Sequence, residues 1–143
     1  MALRYYKLEP EVPGGLGDNT ILDSSVHPPK VIALHLELYD WLGDDLLETF
    51  PCFIVTRSLG DALRKSELSG YSLSEITVSR SDEFKELYPS KQLPEFLWLQ
   101  PKGNIGVDDI CTLPDATLVA SEAAVALFRS HKIANCNVVQ IDA

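Results

Sequence analysis

The chain has 143 residues, which is long enough to bury a hydrophobic core without the help of disulfides or metal. Its 21 acidic and 12 basic residues leave a formal charge of −9, so binding to nucleic acid or to an anionic membrane surface is not expected. No apolar run approaches the roughly 20 residues of a membrane span, and the first ten residues lack the apolar core of a secretory signal. With three cysteines at unpaired spacing, these features predict one cytoplasmic domain over residues 1–143.

The first part of the chain predicts two strands separated by irregular structure. Residues 3–8 are typical of a strand, and the prolines and glycines of residues 10–30 predict a long loop. Residues 14–17 of that loop lack the lysine of a phosphate-binding loop. Residues 31–39 alternate between apolar and polar positions, which predicts one half-buried strand with His35 on its exposed side.

A short acidic helix followed by a core strand is predicted next. Asp44 and Asp45 fit the first turn of the helix, because carboxylates complement the positive end of the helix dipole. Pro51 ends this helix, since it can neither continue it nor donate a backbone hydrogen bond. The apolar residues 52–55 are then typical of a buried strand.

Two later segments share a pattern of strand, hydroxyl N-cap, helix and strand. Thr56 is the expected N-cap of a helix over residues 57–66, which Gly70 follows, and Ser121 that of a helix over residues 123–131. When Thr56 is aligned with Ser121, the apolar positions of the two helices coincide. An internal duplication would explain this agreement, but the apolar pattern of any two such units would also align.

The remaining elements complete a single α+β domain. A short helix is predicted over residues 81–87, with Ser81 as its cap and Phe84, Leu87 and Tyr88 on its buried side. Further strands are predicted at residues 73–79, 95–99, 117–120 and 137–141, and a loop at residues 101–113. The expected fold has a mixed or mainly antiparallel sheet with two or three short helices packed on it. The strand order is left open.

No metal, cofactor or catalytic site is predicted. The three histidines and three cysteines are scattered singly, whereas a metal site needs several ligands at short spacing. The carboxylate pairs at 44–45 and 108–109 do not converge by themselves, because neighbouring residues on a helix point about 100° apart. The protein is therefore expected not to be an enzyme. The alternative is a small enzyme or small-ligand-binding module that uses Gly14, Gly15 and Gly17 together with the carboxylate pairs.

Three segments of the chain resemble a group of small bacterial proteins. They are YYKLEPEVPGGLGDNTILDSSVHPP at residues 5–29, WLGDDLLETFPCFIVT at residues 41–56, and LPEFLWLQP at residues 93–101. The similar proteins are the immunity proteins of polymorphic toxin systems, formerly a family of unknown function. The resemblance covers residues 5 to 121 and implies an α+β protein that binds a cognate toxin domain and neutralises it. Its motifs are structural, and it implies no active-site residues.

An acidic surface with aromatic anchors would suit such a function, because an inhibitor of a nuclease must often cover a basic cleft. Basic residues are absent between positions 30 and 57 and between positions 102 and 129, where acidic residues gather. The predicted partner-binding residues are Asp40, Trp41, Asp44, Asp45, Glu48, Asp108 and Asp109. Two other interpretations stay open, namely a solvated surface that keeps the protein soluble and a Trp41 that packs on the core. The oligomeric state is left open.

Overall fold

Strands dominate the part of the chain that this computed structural model describes, residues 4–141. The strands, in chain order, are β1 (Tyr5–Glu9), β2 (Gly14–Leu16), β3 (Ile21–Asp23), β4 (Lys30–Ala33), β5 (His35–Leu38), β6 (Leu46–Thr49), β7 (Cys52–Thr56), β8 (Tyr71–Glu75), β9 (Thr77–Arg80), β10 (Phe96–Pro101), β11 (Ile110–Thr112), β12 (Leu118–Ser121) and β13 (Asn137–Ile141). The helices are α1 (Arg57–Lys65), α2 (Asp82–Leu87) and α3 (Glu122–Ser130). None of these helices is long and apolar enough to cross a membrane.

Two antiparallel sheets have the same construction. Sheet 1 has the strand order β6-β7-β10-β8, and sheet 2 has the order β11-β12-β1-β13. All neighbouring strands in both sheets are antiparallel. Helix α1 follows β7 of sheet 1, and helix α3 follows β12 of sheet 2. We call each of these sheets together with its helix a unit. The two units correspond strand for strand, and β1 occupies in sheet 2 the place that β10 takes in sheet 1.

The correspondence extends to the register of single residues. Thr56 pairs with Phe96 in sheet 1, and Ser121 pairs with Tyr5 in sheet 2. Both of these hydroxyl residues are N-caps, and each begins a helix of nine residues. Agreement in strand order, register and capping supports the internal duplication that the helix patterns suggest.

Two large hydrophobic cores and a smaller cluster of Tyr5, Cys111 and Val119 lie within the described residues. The first contains buried side chains from both sheets together with Leu59 and Leu63 of α1 and Val125 and Phe128 of α3. The second lies on the other face of sheet 1, where Phe84 of α2 and the third sheet, β2-β5-β9, contribute. Burying each such large apolar side chain is worth about 1.5–3 kcal/mol, so sheet 1 is stabilised from both faces.

The α+β class, the predicted buried strand and the three predicted N-caps are confirmed. Strand β7 is buried along its whole length. The hydroxyls of Thr56, Ser81 and Ser121 accept the backbone N–H of the third residue after each of them. These features depend on local sequence, since a cap satisfies donors within its own first turn.

The helix predicted to begin at Asp44 and Asp45 is wrong. Strand β6 occupies this segment and forms a hairpin with β7. Leu46 packs in the first core and Leu47 in the second. Neighbouring side chains of a strand point to opposite faces, so adjacent leucines suit a strand that is covered on both sides.

Both predicted loops contain short strands. Residues 10–30 include β2, β3 and the first residue of β4, and residues 101–113 include β11. Strand β2 contains glycines, which are not typical of a strand, so the sequence pattern did not predict it. Gly14 lies so close to β5 that an added Cβ would stand 1.9 Å from the carbonyl oxygen of Glu37. The close approach of the two backbones therefore explains a glycine that the sequence alone assigns to a loop.

Two predicted strands are each divided between sheets. Residues 31–39 form β4 and β5, and residues 73–79 form parts of β8 and β9. The division leaves Ile32, which the alternation placed with the buried leucines, 60% exposed. Leu87, predicted on the buried side of α2, is 65% exposed. Gly70 does not end α1 directly, because the C-cap is Ser66.

His35 is buried, which overturns the expectation of a surface residue. Its Nδ1 accepts the backbone N–H of Asn19 at 3.1 Å, and its Nε2 lies 2.7 Å from the hydroxyl oxygen of Ser79. An Nδ1 that accepts leaves the proton on Nε2, which therefore donates to Ser79. The imidazole thus connects strand β9 with the loop that follows β2.

Candidate functional site

Asp45, one of the predicted partner-binding residues, forms hydrogen bonds that connect the two units. One carboxylate oxygen accepts the hydroxyl of Thr56 at 2.7 Å, and the other accepts the backbone N–H of Lys132 at 2.8 Å. Thr56 begins α1 of the first unit, whereas Lys132 follows α3 of the second. Asp45 therefore has a structural role at the junction.

Asp109 makes the corresponding contacts with the two helices exchanged. Its carboxylate accepts the hydroxyl of Ser121 at 2.6 Å and the backbone N–H of Ser69 at 3.0 Å. Ser121 begins α3, and Ser69 follows α1. Each of the two aspartates therefore ties the start of one helix to the segment that follows the other helix.

The first aspartate of each pair also binds backbone. Asp44 is fully buried and accepts the backbone N–H of Asn135 at 2.8 Å and its side-chain amide at 3.1 Å. Asp108 is half-buried and accepts the backbone N–H of Asn104 at 2.8 Å. Asp44 consequently offers no surface to a partner, which removes it from the predicted contact face.

Trp41 packs on the second core, as one of the two interpretations of this residue expects. Its ring meets Phe96 edge-on with 5.7 Å between the ring centroids, and its indole N–H donates to the carbonyl of Asp44 at 3.0 Å. The Nζ of Lys91 donates to the carbonyl of Trp41 at 2.8 Å. Asp40 is half-buried, and its carboxylate accepts the backbone N–H of Trp41 at 2.7 Å.

Glu48, the remaining predicted contact residue, lines a different acidic surface. This open cleft of about 660 Å³ is lined by four carboxylates, and none of the described residues around it is Lys or Arg. We call it the acidic cleft. Its carboxylates belong to Glu9, Glu11, Glu48 and Asp115.

The strands place these carboxylates by backbone pairing. The chain leaves β1 at Glu9 and continues beside β6, where Glu11 bridges Leu47 and its backbone carbonyl accepts the backbone N–H of Glu48 at 2.9 Å. Asp115 lies in the turn between β11 and β12, which its carboxylate stabilises by accepting a backbone N–H two residues later. Elements of both units therefore contribute to the acidic cleft.

The environment of the acidic cleft opposes ionisation of two of its carboxyls. Burial raises the pKa of Glu48, and the charge of Glu9 raises it further. Burial also raises the pKa of Glu11, although its carboxylate accepts the backbone N–H groups of Leu42 and Asp44. A cation that entered the acidic cleft would favour the ionised carboxylates and would gain electrostatic energy from them.

Exposed apolar side chains lie among the residues that line the acidic cleft. Val12 is 65% exposed, Leu42 56% and Phe50 50%. Apolar side chains beside charged groups can cover the aliphatic part of a lysine or arginine while the carboxylates bind its charged end. The acidic cleft therefore presents carboxylates and exposed apolar surface side by side.

Sequence reasoning identified Glu48 but missed Glu9, Glu11 and Asp115. One signal was present for the first two, because side chains two residues apart on an extended segment point to the same side. Asp115 carries no such signal. Its place beside the others depends on the pairing of β12 with β1, which no local pattern specifies.

The alternative site at the glycine-rich segment is not assembled. Strand β2 contains Gly14 and Gly15 and pairs with β5, while the N–H of Gly17 donates to the carbonyl of His35. The carboxylate pairs bind other loops, as described above. Within residues 4–141 there is no group of three or more His, Cys, Asp or Glu arranged for a metal ion.

Cys52 has the environment of a structural thiol. Its side chain is buried in the second core, and burial raises its pKa to about 12. A thiol with this pKa is protonated at neutral pH and is a poor nucleophile.

Comparisons of the chain with protein-family models, with curated proteins and with solved structures found no match. The resemblance to immunity proteins therefore stays a prediction, whereas the α+β fold rests on the structure of this chain.

Proposed function

We propose that this protein is a non-enzymatic immunity protein, which binds a cognate bacterial toxin domain in the cytoplasm and neutralises it. The contact surface in this proposal is the acidic cleft. The observation that carries the proposal is a concave surface with four carboxylates, apolar side chains around them and no basic residue among its described lining.

Charge supports this choice of partner. A protein that acts on nucleic acid presents basic side chains to phosphates, and an inhibitor can occupy that surface with carboxylates. The formal charge of −9 adds long-range attraction, which raises the association rate of a basic partner. Binding of this kind weakens as salt is added, because ions screen the attraction.

The unfavourable environment of Glu48 also supports a role in binding. Its raised pKa means that the folded protein holds an ionised carboxylate there at a cost in free energy. Carboxylates that destabilise a fold are commonly found at functional sites. A lysine or arginine of the partner would supply the missing positive charge.

The proposal changes the predicted contact residues. Glu48 stays, and the exposed Glu9 and Asp115 join it. Glu11 is buried, and its carboxylate binds the backbone of Leu42 and Asp44, so it lines the acidic cleft without being a contact residue. Asp44, Asp45, Asp108 and Asp109 leave the contact set, because they form the structural hydrogen bonds described above.

Co-expression with a toxin tests the proposal. The gene next to that of this protein would be expressed in a bacterial host, alone and with the wild-type chain, and growth would be measured. The decisive variant is Glu9→Lys with Glu48→Lys, and its matched control is Glu83→Lys with Glu86→Lys on the exposed side of α2. A milder variant, Glu9→Gln with Glu48→Gln, covers the case in which charge reversal disturbs β6.

The wild-type chain and the control are expected to restore growth, and the cleft variants to lose protection while their circular dichroism stays native. In a binding assay the reversed cleft is expected to weaken affinity by roughly tenfold or more. A harmless neighbouring gene product would contradict the immunity function. Full protection by a folded cleft variant would instead contradict the acidic cleft as the contact surface.

A further inference from the structure

Strand β13 forms an outer edge of sheet 2 and carries no charge. Its five residues, NVVQI, pair with β1 in a register without a bulge. On its other side, no backbone of the described residues 4–141 is hydrogen-bonded to it. The unpaired N–H and C=O groups of such an edge can pair with another strand.

The outer edges of β6 and β11 are occupied. Glu11 bridges Leu47 on the outer side of β6. Gly103 bridges Cys111 on the outer side of β11 and donates its N–H to the carbonyl of Ile110 at 3.1 Å. Segments of the same chain therefore protect both of these edges.

The edge that corresponds to β13 in sheet 1 is charged. Strand β8 ends at Glu75, whose carboxylate lies 3.4 Å from the guanidinium of Arg57. Charged side chains on edge strands discourage pairing with a further strand. Strand β13 lacks this protection, and Val139 at its centre is 55% exposed.

We propose that β13 pairs with β13 of a second copy of this chain, antiparallel about a two-fold axis at Val139. In this register Val139 faces its own copy, Val138 faces Gln140, and Asn137 faces Ile141. No like charges meet across the axis, so the strand is complementary to itself. The two copies of sheet 2 join into one continuous sheet.

A second copy is the occupant that fits the composition of the strand. Uncharged, partly β-branched residues favour a sheet neighbour, and the charged residues that pair with β13, Lys7 and Glu9, lie on the inner strand β1, away from its free edge. A strand edge of five residues supports a weak dimer.

The charge of −9 on each copy opposes association, so added salt strengthens this dimer. Added salt weakens the binding of a basic partner at the acidic cleft, so the salt dependence distinguishes the two kinds of association. Strand β13 shares only Asn137 with the lining of the acidic cleft.

Analytical ultracentrifugation tests the dimer. Sedimentation of the full chain would be followed from micromolar to millimolar concentration, at low and at high salt, for the wild type and for Val139→Lys. The matched control is Ile32→Lys, because Ile32 has a similar exposure of 60% on a different sheet. Circular dichroism of each variant verifies that it is folded.

The wild type and Ile32→Lys are expected to dimerise with increasing concentration, and more strongly at high salt. Val139→Lys places two like charges face to face and is expected to raise the dimer dissociation constant roughly tenfold or more. Mild oxidation of Val139→Cys is expected to produce a disulfide-linked dimer, and Ile32→Cys is expected to give no more than the wild-type background. A wild type that stays monomeric at both salt concentrations, a folded Val139→Lys that dimerises like the wild type, or a Val139→Cys that does not cross-link would each overturn the proposal.

Discussion

Asp45 accepts a hydrogen bond from the backbone N–H of Lys132, a residue 87 positions further along the chain. The same carboxylate also accepts the hydroxyl of the N-cap Thr56. One side chain thus fixes both the start of α1 and the segment that follows α3. Since Asp109 makes the reciprocal contacts, the junction between the two units depends on two aspartates.

Removal of the Asp45 carboxylate is expected to weaken this junction. The variant Asp45→Ala leaves the hydroxyl of Thr56 and the N–H of Lys132 without their acceptor, and Thr56 is buried. The free energy of unfolding should fall by about 1–3 kcal/mol, measured by urea denaturation. Asp61→Ala on the exposed side of α1 is the control and should change it by less than about 0.5 kcal/mol. Equal effects of the two substitutions would show that the junction does not depend on Asp45.

Neutralising Glu48 is expected to stabilise the protein at neutral pH. Because the folded-state pKa of Glu48 is raised above 4.5, the folded state holds this proton more tightly than the unfolded state does. Stability from this group is therefore present below the unfolded pKa and is lost as the pH rises through the folded pKa. Glu48→Gln should raise the melting temperature by about 1–3 °C at pH 7, and the gain should shrink below pH 4.5.

Thermal melts of Glu48→Gln across this pH range check the sign of the effect. Glu86→Gln on α2 serves as the exposed control and should leave the melting temperature unchanged at either end of the range. If Glu48→Gln lowered the melting temperature at pH 7, the carboxylate would be a stabilising group, and its cost could no longer support a role in binding.

A side chain at Gly70 is expected to destabilise the protein, for two separable reasons. Its φ of +92° is unfavourable for other residues, and an added Cβ would lie 2.6 Å from the carbonyl oxygen of Ile110. Gly106 has a similar φ of +96° but nothing within 4 Å of such a Cβ. Gly106→Ala should therefore cost about 1 kcal/mol for the backbone alone, and Gly70→Ala should cost about 1–3 kcal/mol more. Chemical denaturation of both variants measures the difference, and equal costs would rule out the steric part.

The buried His35 is expected to act as a structural connection. His35→Ala leaves the N–H of Asn19 and the hydroxyl of Ser79 without partners and opens a cavity beside the loop. The free energy of unfolding should fall by about 2–4 kcal/mol, measured by chemical denaturation. His27→Ala, at an exposed position, is the control and should have little effect. A result in which both variants match the wild type would contradict this role.

The N-caps at Thr56, Ser81 and Ser121 could be predicted because their partners lie three residues away. The predicted helix at Asp44 failed because local charge was weighed without the two cores, which only the assembled sheets create. The acidic cleft also depends on the assembled sheets, so only part of it could be predicted. Glu48 stood out in an acidic stretch, but Asp115 joins it only through pairing between strands that are distant in the sequence.

The position of β1 in sheet 2 has a consequence for folding during synthesis. Sheet 1 uses strands from a continuous stretch, β6 to β10, so it can form while later residues are still being added. Sheet 2 needs β1 beside both β12 and β13, and the hydroxyl of Tyr5 already reaches across 103 residues to the carbonyl of Asp108. Strand β1 is synthesised before β12 and β13 and must therefore wait for both of these neighbours. Until β12 and β13 are made, β1 lacks both of its strand neighbours, and its unpaired backbone groups can pair with other chains.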